Sequence, residues 1–591
     1  MKLFSEIKRR QVIQGAIAYS LAGWLLIQLA IALEASLELP AYVDRWVTIA
    51  VIAGFPIAII LAWVFDISLD GIRLTKDSEA DAHIEKTTAQ AVDNAPPSKH
   101  SIAILPFADM SPNGDQEYLG DGVAEEILNA LVKVTELRVS GRTSSFSFKG
   151  KDADIQSIGK ILNVAHVLEG SVRSQGDRVR ITAQLIQVSD GFHLWSETYD
   201  GDLTDIFDLQ DTIAKQIVSE LEILLDAESA RLASNLTRSP EAYDEFLRGR
   251  EYFYKLVGDT ALPRAEKHLE KAVELDPNFD QAWAFLGLVH INMPDAVDVD
   301  DPADNYSKAE TAFTRALNIN PDNSVAERVK AAILTTKRDF FGAVQAYERG
   351  FKLDPENPDL IFTFGYALNS VGLHDQAIIL LEKAEQLDPS FPLLQQILGL
   401  AHNAIGDREK ALFHFKKAIR LNYVPSRLLV AIKESEQGNI RAAYALMRDY
   451  MKDAPPWFIS RLKSPLSRNI YFAALLRRSS FSSWLVGRST RSRINKPGYK
   501  PVFWDAAAIL RFCNPDDYID FMRKSAFPYA MVALPFRRIF VERSNAILQH
   551  KKFPQFAEDI GLVKIWQTYG WPRQIQPKPG TDGSNLQFTV S

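Results

Sequence analysis

Two long apolar runs open the chain, and helix-length apolar stripes fill its middle. Val12 to Leu33 holds 22 residues without a charge, and Trp46 to Phe65 holds another 20. Each is long enough to cross a hydrocarbon core of about 30 Å as a helix. Gly54 and Pro56 disfavour an ordinary soluble helix but are tolerated where neighbouring helices satisfy the freed carbonyl. Trp24, Tyr42, Trp46 and Trp63 stand where interfacial anchors sit. The pattern predicts a two-helix membrane hairpin within residues 1–76, with spans at 12–33 and 46–65. The first run exceeds the roughly 7 to 15 apolar residues of a signal-peptide core, so a retained helix is expected. Lys2, Lys8, Arg9 and Arg10 precede it, whereas the loop from Glu34 to Arg45 carries three acids and one base. That asymmetry puts both ends of the hairpin, and the domains beyond it, on the cytoplasmic side.

Residues 77–100 turn polar, lack aromatics and end in Pro96-Pro97, which reads as a linker. From 101 to 235 short apolar runs alternate with helix-period segments. Ser101 to Phe107 suits a buried strand, Val123 to Val134 a helix, Leu137 to Phe148 an extended segment and Ile155 to Leu162 a second helix. Three further strand-like runs, Val167 to Arg173, Val179 to Val188 and His193 to Tyr199, are separated by turns at Gly176 and Gly191. The order is βαβαβββ, an α+β domain, followed by a trailing helix from Ile206 to about Leu232. Asp121 is expected to cap the Val123 helix.

From 236 to 456 one pattern recurs. Leu275-Asp276-Pro277, Ile319-Asn320-Pro321, Leu353-Asp354-Pro355 and Leu387-Asp388-Pro389 are separated by 44, 34 and 34 residues, and Leu421-Asn422-Tyr423 follows 34 later. Small residues recur twelve and five positions before each mark, as in Ala377 and Ala384. Period and spacing resemble the tetratricopeptide repeat, a helix-turn-helix unit. Such units stack into a solenoid whose inner face binds extended partners. The first helix of each unit would line that groove, which nominates Arg328, Asp359, Phe362, Tyr366, Asn369, Gln396 and Asn403.

The phrases SIAILPFADMS, EYLGDGVAEEILNAL, LRVSGRTSSFSFKGKD, HVLEGSVRSQGDRVRITAQLI and HLWSETYDGDLTDIFDLQD resemble the TolB-like domain of bacterial membrane-anchored tetratricopeptide proteins. The closing GLVKIWQTYGWP, Gly561 to Pro572, resembles the usual end of that family. The resemblance implies a regulatory or assembly role, because relatives fuse the same module to a class III adenylate cyclase or a winged-helix DNA-binding domain. Eleven residues precede the first apolar run, too few for either, so neither output is expected in this chain.

Composition adds little to this outline. At 591 residues several domains are expected, 47% hydrophobic and 24% charged content is ordinary, and a net charge of −7 selects no partner class. Cys513 is the sole cysteine, so no intramolecular disulfide forms. There is no phosphate-binding loop, dinucleotide fingerprint, HExxH or His-Cys cluster, so no catalytic residue, cofactor or metal site is predicted. Residues 461–500 carry ten bases and no acid, a patch suited to anionic lipid rather than nucleic acid. They fall in a basic helical region, 457–575, with 576–591 expected to be disordered. The sequence reads as a non-enzymatic, membrane-anchored scaffold for protein partners. The alternatives are an accessory component of an adenylate cyclase-type system and a periplasm-facing assembly factor. Oligomeric state is not legible.

Overall fold

The computed structural model describes residues 97–134, 136–151, 153–176, 178–221, 237–255, 261–296, 302–453, 514–524, 541–578 and 587–590, and a short hairpin within 65–74. That hairpin, β1 (Phe65–Ser68) against β2 (Gly71–Leu74), belongs to a separate unit ending at Pro96. The expected spans 12–33 and 46–65 lie outside the described residues, except that Phe65 opens β1. Among the described residues no helix is long and apolar enough to cross a membrane.

Residues from 97 onward begin with an α+β domain. Its elements are β3 (Ser101–Ile104), β4 (Ala108–Asp109), α1 (Glu117–Val132), β5 (Arg138–Val139), α2 (Arg142–Phe146), α3 (Ile155–Leu162), β6 (His166–Gln175), β7 (Arg178–Gln187), β8 (His193–Asp202) and α4 (Ile206–Glu220). The sheet order is β5-β3-β6-β7-β8, with β4 beside β6. β5, β3 and β6 run parallel, and β6, β7 and β8 form an antiparallel meander. β3 is buried throughout because helices cover both its faces. Ile102 and Ile104 belong to the core that holds α1, whereas Ala103 and Leu105 belong to a second core with Ile158 and Leu162 of α3. Alternate side chains of a strand point to opposite faces, so an unbroken apolar run is what such a position needs.

Two local expectations are corrected. Residues 137–148 are mostly not extended, since only Arg138 and Val139 pair and Arg142–Phe146 turns as a helix behind Gly141. Asp121 does not cap α1. The helix starts earlier, at Glu117, and Asp121 is buried inside it, 2.6 Å from Lys149 Nζ.

Among the described residues six helix pairs follow: α5 (Pro240–Lys255) with α6 (Ala261–Leu275), α7 (Asp280–Ala296) with α8 (Pro302–Ile319), α9 (Ser324–Thr336) with α10 (Phe340–Leu353), α11 (Pro358–Ser370) with α12 (His374–Leu387), α13 (Pro392–Ile405) with α14 (Arg408–Arg420), and α15 (Ser426–Glu436) with α16 (Ile440–Asp453). The recurring small residues sit where helices approach. Ala265, Ala309, Ala343, Ala377 and Ala411 are all fully buried. At Gly399 a Cβ would lie 2.5 Å from the Phe415 ring, so only glycine admits α14 this close. Asn323 and Asn357, two residues beyond the prolines of the repeat mark, cap α9 and α11 with their side chains.

The chain then returns to the array. α17 (Pro515–Lys524), α18 (Val541–Leu548), α19 (Phe553–Asp559) and α20 (Leu562–Tyr569) share one core with pairs three to six. Trp566 is fully buried and its Nε1 donates to Val371 O at 2.8 Å, while Tyr569 donates to Glu348 at 2.6 Å. The tail expected to be disordered is in part ordered, because β9 (Ile575–Pro577) pairs with β10 (Phe588–Val590). Phe588 explains it by packing against Phe553, Trp566 and Trp571. The basic residues of 461–500 and Cys513 lie outside the described residues.

Candidate interaction surface

The first helices of successive pairs touch one another, so side chains on them form one continuous face. Arg328 on α9 and Asp359 in the first turn of α11 approach to 3.8 Å, and both keep partial exposure. Phe362 is nearly buried, edge-on to Phe391 at 4.8 Å and stacked beside half-buried Tyr366. Gln396 on α13 is half-buried and accepts a hydrogen bond from Ser426 Oγ at 2.9 Å. The remaining two nominees behave differently. Asn369 is fully buried with Oδ1 2.7 Å from His374 Nδ1, and Asn403 is 6% exposed. Counting helical offsets from Asp359 puts Asn369 on the right stripe. It lies in the last turn of α11, however, where the chain folds back into α12, and its amide meets the first residue of that partner helix. Arg328, Asp359, Tyr366 and Gln396 therefore remain as the accessible polar set.

Sequence reasoning missed what stands beside this face. The α+β domain docks onto the array through β5 and α2. Arg138 Nη2 donates to Gln386 O at 2.7 Å, and Gly141 N donates to Leu387 O. Ser144 Oγ donates to Asp388 and accepts from Ser390 N at 2.7 Å. A Cβ on Gly141 would lie 2.7 Å from Asp388 Cβ and 3.0 Å from Leu387 O, so the approach requires glycine. Asp388 is the aspartate of a repeat mark. Burial pushes its carboxyl up to about 7, and Asp359 adds to the rise, although hydrogen bonds from Ser144 and Thr143 oppose it.

A second contact joins the domain to the first pair. Arg142 Nε donates to Glu125 at 2.7 Å, and its guanidinium lies 3.6 Å from the centre of the Tyr254 ring on α5. Arg250, also on α5, donates to Glu126 at 2.6 Å and stands 3.5 Å from Glu125. Burial alone would lower the Arg250 pKa, but Glu125 and Glu126 more than offset it and raise it. These charges pair with one another, while Arg250 Nη2 is buried without a hydrogen-bond partner.

A cavity of about 300 Å³ opens at the end of β3, lined by Phe107, Phe148 and Ile155. Lys149 there is held by both Glu117 and Asp121, at 2.9 and 2.6 Å. Among the described residues no group of His, Cys, Asp or Glu is arranged to hold a metal ion.

Residues 98–216 match the family model described as "HilA/YgeH-like transcriptional regulator, second domain". A curated relative from Rhizobium meliloti (strain 1021), described as "Putative adenylate cyclase 3", is 42% identical over 194 residues. That segment is 33% of this chain and 33% of the relative, so the chain spans about a third of that protein's length. Among solved structures, Pseudomonas aeruginosa PilF is 17% identical with a TM-score of 0.30, covering 39% of this chain and 97% of its own. YrrB, described as a TPR protein with an unusual peptide-binding site, is 20% identical with a TM-score of 0.23, covering 35% and 91%.

Proposed function

We propose that this chain is a membrane-anchored scaffold that binds a protein or peptide partner on its helical array within a bacterial signalling or regulatory complex, without catalysis of its own. The observation that carries this reading is the stack of six helix pairs, with Arg328, Asp359 and Tyr366 left accessible on the face of its first helices. Such solenoids present long surfaces rather than closed reaction sites. The anchor is assigned to 12–33 and 46–65 from their apolar length, in the inner membrane with the described domains on the cytoplasmic side. The basic stretch 461–500 is assigned to anionic lipid on that leaflet.

The test is proximity labelling from the array in cells, comparing wild type with the combined change Arg328→Ala and Tyr366→Ala. Specific neighbours should be lost while circular dichroism and melting stay as in wild type, and an unchanged set of neighbours would remove the face from consideration. A second reading rests on the segment shared with the adenylate cyclase-named relative. In it the chain is an accessory component of a cyclase-type system. Under both readings, purified protein given ATP and magnesium makes no cyclic nucleotide, and robust turnover would overturn both.

A further inference from the structure

In a solenoid each unit touches mainly its neighbours, so distant units are coupled only through those between them. The α+β domain departs from that rule. Arg142 of α2 rests on Tyr254 in the first pair, while one residue earlier Gly141 donates to Leu387 O at the end of the fourth pair. Lys133, at the end of α1, lies within electrostatic reach of Asp354 in the loop between pairs three and four. One small domain thereby bridges most of the array's length.

The contact at 386–390 has the character of peptide recognition rather than of incidental packing. A backbone N–H meets a carbonyl, a serine hydroxyl is used as donor and acceptor at once, and the fit excludes any side chain at position 141. Asp359 links it to the accessible face. Its charge acts on Tyr254 on one side and on Asp388 on the other, and it pairs with Arg328.

We propose that residues 138–146 form an intramolecular clamp that ties the first helix pair to the loop between pairs four and five, and so sets the curvature and accessibility of the face carrying Arg328, Asp359 and Tyr366. Undocking α2 lets the pairs spread and leaves the edge at Leu387 and Asp388 open to another polypeptide that turns at a glycine and offers a hydroxyl three residues on. The gating half rests on the scaffold reading above, and the clamp itself does not.

The experiment therefore uses no partner. Full-length protein with Cys513→Ser, Lys271→Cys and Lys416→Cys carries spin labels on the first and fifth pairs, and pulsed electron resonance reads their separation. Gly141→Ala should lengthen and broaden the distance distribution, and Ser144→Ala, which removes atoms and adds none, should do so more weakly. The control change Thr182→Ala, at a half-buried position of β7, should leave it alone. In Gly141→Ala and Ser144→Ala the Ser390 amide should exchange with solvent about tenfold faster, as expected for losing one hydrogen bond. Unchanged exchange would show that the contact does not hold in solution. Faster exchange with an unchanged distance would reduce it to a local contact and overturn the clamp. Loss of partners from Arg328→Ala with Tyr366→Ala, or its absence, bears on the scaffold reading alone.

Discussion

Burial raises the carboxyl pKa of Asp388, as it does that of Asp354 at the preceding repeat mark. With a folded pKa of about 7 for Asp388 against 3.8 for the free group, the folded state keeps a proton that the unfolded chain gives up. Its contribution to stability is full below about pH 4 and is lost as pH rises through 7. His414 has the opposite sign, because burial holds it at about 4, below the usual 6.5 of a free imidazole. Its contribution is full above pH 6.5 and is lost as pH falls toward 4. Asp388→Asn should therefore gain melting temperature relative to wild type as the buffer goes from pH 5 to 8. Equal pH profiles for the two proteins would contradict the burial assignment. None of this was legible from sequence. The aspartate is a turn residue of the repeat, and its partner Ser144 lies 244 positions away. Asp276 stands at the same mark and instead accepts from Thr237 at 2.5 Å. Repeat phase told where these aspartates lie along a unit, but only the tertiary contact decides what each one meets.

At the scale of elements, the 34-residue period was enough to place the helix pairs, because small residues have fixed places in each unit, and in two units an asparagine caps the next helix from the same place. It did not rank the contacts. Trp283 looks like an anchor by size, yet it is half-buried and donates to Pro277 O at 3.1 Å on the exposed side, whereas Leu398 is fully buried. Leu398→Ala should cost about 2 to 5 kcal/mol and Trp283→Ala clearly less, as read by urea melts. The closing helix was recognised as a motif but not as part of the array's core. Trp566→Ala deletes a fully buried indole and its bond to Val371, with an expected cost of about 3 to 5 kcal/mol. A melting point within a degree of wild type would mean that α20 does not seal pairs three to five. The segment 137–148 was misread because its Ser- and Thr-rich alternation suits a strand locally. Docking at Gly141 and Ser144 turns it into a short helix instead.

At the scale of the whole molecule the open question is the compartment in which a partner meets the array, and charge asymmetry supplies the argument. Four bases precede the first apolar run, against one base and three acids in the loop between the runs. Bases near span ends are retained on the cytoplasmic side, and two spans return the chain to the side on which it began. The basic stretch 461–500 is consistent with that side, since the cytoplasmic leaflet carries the anionic lipid that would attract it. A reporter active only in the periplasm should be silent when fused after Ser591 and active when fused near Ala41. Neutralising Lys8, Arg9 and Arg10 together should weaken that preference and raise the signal of the Ser591 fusion. The reverse pattern in the unaltered chain would mean that one run alone crosses or that the hairpin is inverted. The clamp at Gly141 and the face around Arg328 would then have to work in the envelope, without access to cytoplasmic nucleotides.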